Sequence, residues 1–131
     1  MSVLRVAKES ENAIIPTFDS NGHYTLYALE DSLLMGNVSF PIRTGIKMAI
    51  PNNYCAMIVS NGTIKCLGGL IDSDYRGELK VIAIGPTDRT IKRGESIAKM
   101  FVLEIESPEL EVCDSSIATE CEDNQAHTIE N

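Results

Sequence analysis

At 131 residues, 44% of them hydrophobic, the chain has the length and apolar content for one domain with one modest core and is too short for two. Its net charge of −8 is lopsided: residues 1–103 hold eleven Lys/Arg against ten Asp/Glu, whereas 104–131 hold nine acids and no base. That distribution lacks the basic patch a phosphate backbone requires, and no apolar stretch approaches the length of a membrane span, so neither nucleic acid nor a membrane is an expected partner.

The first 13 residues carry Arg5, Lys8, Glu9 and Glu11 without an apolar run, so no signal peptide is expected. Short apolar runs then recur at His23–Leu29, Val38–Ile42, Ile46–Ile50, Tyr54–Val59, Leu79–Ile84 and Ile97–Ile105. None sustains a helical period over ten residues. Turn signals separate them, at Ser20-Asn21-Gly22, Pro51-Asn52-Asn53, Asn61-Gly62, Gly85-Pro86 and Arg93-Gly94. Strands at this spacing predict a β-sandwich or barrel. The Asn61-Gly62 pair, flanked by Ala56–Ser60 and Thr63–Leu67, predicts a tight hairpin, which would put Cys55 and Cys66 on facing strands as small buried hydrophobes. Met35, Met48, Met57 and Met100 are expected to fill gaps in the core. After Pro108 the pattern fades, with Leu110, Val112 and Ile117 as anchors, and the end of the chain is expected to lack fixed structure. The expected division is a β domain over 1–110 and an acidic tail over 111–131.

The four cysteines form no Cys-x-x-Cys pair, and His23 and His127 lie far apart, so no zinc site is expected. Reduced thiols in a cytoplasmic or nuclear protein fit this usage. No catalytic role is expected for His23.

The segment Leu67 to Ile82 carries the chemistry: paired glycines at 68 and 69, then Asp72, Asp74, Tyr75 and Arg76 between two apolar runs. Glycines let a backbone approach a ligand closely, and a neighbouring carboxylate can orient a water. A calcium loop fails here, because Arg76 stands at the fifth ligand position and Ala83 where a bidentate Glu belongs. The plainer alternative is a surface turn whose Asp and Arg neutralise each other.

The run Gly69-Leu70-Ile71-Asp72-Ser73-Asp74-Tyr75-Arg76-Gly77-Glu78 resembles the third motif of the trimeric dUTPases. Ile42 to Pro51 is similar to that family's strand before its second motif, and Lys92 to Met100 to its fourth. The resemblance covers roughly 22–110 and implies an all-β, dUTPase-type barrel or jelly roll that assembles as a threefold homotrimer with sites between subunits. It implies hydrolysis of dUTP to dUMP and pyrophosphate, with magnesium on the triphosphate. Asp72 would be the catalytic residue that activates water. Gly69, Leu70 and Ile71 would read the uracil, Tyr75 would pack on the deoxyribose, and Lys99 would stand at a substrate-contacting position. No protein metal ligand is expected.

The phosphate-gripping half departs from the family pattern. Thr25 in His23-Tyr24-Thr25-Leu26 stands at the first motif's Asp; the second motif's loop is shortened to Asn61-Gly62; Glu95-Ser96 and Lys99 replace an Asp-Arg pair and a Gln. Residues 120–131, where a Gly- and Arg-rich arm belongs, contain no Gly, Arg or Phe. Taken alone, these losses point to a non-enzymatic scaffold offering its surfaces or acidic tail to protein partners, with Mg2+ needed only if catalysis survives. The alternative is a minimal dUTP diphosphatase whose phosphate contacts come from among Lys65, Arg43, Arg89, Lys92, Arg93 and Lys99. A third possibility is a sensor that holds a deoxyuridine nucleotide without hydrolysis.

Overall fold

The computed structural model describes residues 2–62 and 64–114. The acidic run beyond Asp114, with Ile117 and the stretch 120–131, lies outside the described residues. Those residues form strands and no helix: β1 (Arg5–Lys8), β2 (Thr17–Phe18), β3 (Tyr24–Tyr27), β4 (Ser32–Leu34), β5 (Phe40–Arg43), β6 (Ile46–Ala49), β7 (Tyr54–Val59), β8 (Lys65–Cys66), β9 (Leu70–Ile71), β10 (Lys80–Ile84), β11 (Arg89–Ile91) and β12 (Ser96–Glu104). The largest sheet runs β2-β3-β12-β7-β9. A second runs β5-β10-β8, and two ribbons pair β1 with β6 and β4 with β11, all antiparallel.

The core lies between these sheets and is built from alternating strand residues. Leu26, Ile42, Val81, Ile91, Ile97 and Met100 are all fully buried. In β12 two consecutive residues, Ile97 and Ala98, are both buried, which strict alternation forbids. The register against β3 explains it: Ser96 faces Tyr27 and Ala98 faces Leu26, so Ile97 is the extra residue of a bulge and turns inward. Beyond the bulge alternation resumes, leaving Lys99 half-buried on the other face.

The six predicted apolar runs all contain strands, but the Asn61-Gly62 hairpin is not formed. Strand β7 pairs with β12 on one side and β9 on the other, so both its edges are taken and residues 64–67 have no place beside it. Instead the Asn61 side-chain amide donates to the Ser96 carbonyl at 3.1 Å and its hydroxyl at 3.2 Å, while its oxygen accepts the Ile64 N–H at 3.3 Å. Only Gly62 takes positive φ, at 95°. The chain crosses over, buries Ile64 and joins β10 through β8. Cys55 and Cys66 therefore sit in different sheets as free thiols, Cys55 buried and Cys66 only partly so.

Among the expected core methionines, Met48 and Met100 are buried, but Met35 is 47% exposed. Its neighbour Leu34 points inward from β4, which sends residue 35 outward. His23 is buried against Phe101, ring centroids 5.7 Å apart, with its Nε2 3.9 Å from Asp19.

Candidate functional site

The short edge strand β9 carries Leu70 and Ile71 alongside Met57 and Ala56 of β7. Just before it, the Gly69 carbonyl accepts the Ile58 N–H at 3.0 Å, which fixes the glycine pair to the sheet. Gly68 has φ of 118°, and a Cβ added at Gly68 or Gly69 would meet no heavy atom within 4 Å. The backbone there is bare on the side where a Cβ would stand.

After β9 the chain turns at Asp72–Tyr75, closed by the Tyr75 N–H on the Asp72 carbonyl at 3.1 Å. Arg76 does not neutralise a carboxylate, as a plain surface turn would have it. Its guanidinium donates to the carbonyls of Ser73 at 2.6 Å and Tyr75 at 3.0 Å, bracing the turn from within. Asp72 and Asp74 are exposed and make no salt bridge among the described residues. An unpaired carboxylate at the mouth of a cleft keeps its lone pairs for a water or a hydrated cation.

Leu70, Ile71, Asp72 and Tyr75 line one open cleft of about 620 Å³, together with Asp74, Arg76, Glu78, Leu79 and Lys80. The volume is within the range that holds a nucleotide-sized ligand. Of the six site residues expected from sequence, four share this cleft and Gly69 adjoins it in the chain. Lys99 does not. It lies on β12 in register with Thr25 of β3 and Val59 of β7, two strands away from β9, or about 10 Å at the usual strand spacing. Thr25, Lys99 and the Ser60–Asn61 loop thus gather on another part of the same sheet.

Sequence reasoning missed what holds the turn. Glu78 accepts three hydrogen bonds from Arg43, from Nε at 3.1 and 3.3 Å and from Nη2 at 3.1 Å, and one from the Gly45 N–H at 3.0 Å. The Arg43 bonds, and to a lesser extent Gly45 and nearby Lys80, hold the Glu78 carboxyl below the usual carboxylate range against an opposing push from burial. Next in the chain, the Leu79 carbonyl accepts the Thr44 hydroxyl at 2.5 Å and the Leu79 N–H donates to the Ile46 carbonyl at 2.9 Å. The turn between β5 and β6 therefore clamps the far end of the Asp72–Glu78 loop. The Tyr75 hydroxyl closes the figure by donating to the Glu78 carbonyl at 2.8 Å.

These bonds also reassign cations. Arg43 is occupied by Glu78, with Glu30 3.9 Å away, and Arg89 is paired with Glu95, so neither is spare for a phosphate. Lys65, Lys92, Arg93 and Lys99 make no salt bridge among the described residues. No group of three or more His, Cys, Asp or Glu side chains able to cage a metal occurs among the described residues.

Comparison with known proteins shows the family and the fold. The family model for dUTPase matches residues 11–128. The deoxyuridine 5'-triphosphate nucleotidohydrolase of Paramecium bursaria Chlorella virus 1 is 35% identical over 122 residues, covering 86% of each chain. That of Yaba monkey tumor virus is 33% identical over 132 residues, covering 91% of this chain and 92% of its own. Among solved structures, a mutant dUTPase of Staphylococcus bacteriophage 80alpha with dUpNHpp superposes with a TM-score of 0.80 at 19% identity, covering 88% of this chain and 98% of that one. A mutant dUTPase from phage phi11 of S. aureus gives 0.78 at 20% identity, with 86% and 97% coverage.

Proposed function

The chain belongs to the dUTPase family, and from that premise we propose that it hydrolyses dUTP to dUMP and pyrophosphate. The observation that carries the reading is the single cleft that holds the Asp72 carboxylate and the Tyr75 ring. The identity of 33–35% with relatives named as deoxyuridine 5'-triphosphate nucleotidohydrolases favours this diphosphatase over the non-enzymatic scaffold that the degenerate motifs suggest.

In this mechanism the substrate is the magnesium complex of dUTP. Magnesium travels with the substrate phosphates and keeps several of its waters, so it needs no protein cage and Asp72 is kept for the attacking water. The bare Gly68–Gly69 backbone and β9 receive the base, and the Tyr75 ring packs on the sugar. Asp72 takes the proton of a water whose oxygen bonds to the α-phosphorus as the bond from that phosphorus to the α–β bridging oxygen breaks, and pyrophosphate leaves with the bridging oxygen. Lys99 supplies a cation to the phosphates. Because Lys99 and Thr25 stand apart from the cleft of their own chain, the complete site forms between copies in a homotrimer, with the β domain over 1–110 as the assembling unit and the acidic run 111–131 beyond it. The cytoplasm or nucleus, where thiols stay reduced, is the proposed location.

Pyrophosphate release from dUTP with magnesium tests the reading, with Asp72→Asn assayed beside the natural chain. Loss of a general base is expected to slow turnover by roughly a thousandfold. Equal turnover in both proteins, or none in either, refutes the assignment.

A further inference from the structure

We propose that Glu78 is a positioning residue for sugar selection, acting on the nucleotide through the Tyr75 ring. The proposal rests on the diphosphatase reading and names the part of the chain that sets its preference for deoxyribose. Tyr75 is 46% exposed, and a ring so open to solvent would ordinarily swing between rotamers. Here one pose is favoured, because its hydroxyl donates to the Glu78 carbonyl at 2.8 Å. Gly77 makes room for that pose: a Cβ at residue 77 would lie 2.6 Å from the Tyr75 Oη.

A tether is only as firm as its anchor. The Glu78 carboxylate is fixed by Arg43, the half-exposed last residue of β5, and by the N–H of Gly45 in the buried turn that follows, 35 and 33 residues away in the chain. Its side chain is only 14% exposed. Rigid scaffold, carboxylate, peptide carbonyl, phenol and ring thus form one chain of contacts that ends at the cleft. A ring held in one place can bar a 2′-hydroxyl by contact, whereas a ring free to retract admits it.

The test is a double-mutant cycle on the full chain, reading kcat/KM for dUTP and for UTP with magnesium. Tyr75→Phe keeps the ring and removes the tether; Glu78→Gln keeps the shape and sets an amide among the donors of Arg43 and Gly45. Each is expected to lower the dUTP-to-UTP ratio by roughly tenfold, mainly by admitting UTP. The double variant should lose no more than either single one, because both act through the same ring. Arg43→Lys, which keeps the charge and loses the fork, should fall between. An unchanged ratio in Glu78→Gln, or losses that multiply in the double variant, overturns the proposal and leaves the diphosphatase reading standing. Absence of turnover in the natural chain overturns the diphosphatase reading and this proposal with it.

Discussion

Glu78 accepts from Arg43 and Gly45 most strongly while it is ionised, and this makes its contribution to stability pH-dependent. The Arg43 hydrogen bonds set its folded pKa below the unfolded value, which for a glutamate is about 4.3. The folded state then binds fewer protons than the unfolded one. The stabilisation is complete above the unfolded value and is lost as pH falls through the folded one. Urea unfolding between about pH 6 and pH 3 should show the natural chain losing stability on acidification more steeply than Glu78→Gln, which has no such carboxylate to protonate. Parallel pH profiles for the two proteins would remove Glu78 as the source. The clamp itself escapes a reading of the sequence, because 35 residues separate its partners. By contrast Asp72 and Tyr75 stand out from their neighbours, since the chemistry they share is contiguous.

Among the elements, long apolar runs were legible and strand partners were not. Tyr54–Val59 and Ile97–Ile105 announce strands by composition, but whether Asn61-Gly62 closes a hairpin depends on what already occupies both edges of β7. That is a property of the whole sheet and leaves no local trace. The short strands β1, β2, β4 and β11 were missed because two to four residues, several of them charged or polar, show no period. The role of Asn61 changes accordingly, from a tolerated turn residue to a side-chain bridge between the end of β7 and the start of β12. Asn61→Ala removes hydrogen bonds to Ser96 and to the Ile64 N–H, and is expected to cost about 1–3 kcal/mol in denaturant unfolding. A change within about 0.5 kcal/mol would mean that the loop is held by the burial of Ile64 alone.

At the scale of the molecule, the separation of Lys99 from β9 has a direct test in the proposed trimer. If the site joins Asp72 of one copy to Lys99 of another, then Asp72→Asn and Lys99→Ala chains, each impaired alone, should regain dUTP turnover when mixed and refolded together. Mixtures no more active than their components would confine the site to one chain. The five-stranded sheet also ends in a particular way, for both its outermost strands, β2 and β9, are only two residues long. A stray strand arriving at either rim would find no ladder long enough to hold it, even though Phe18 and Leu70 there are 64% and 68% exposed. Gly68 keeps that rim short, because its φ of 118° lies outside the strand region and ends the ladder of β9 on its N-terminal side.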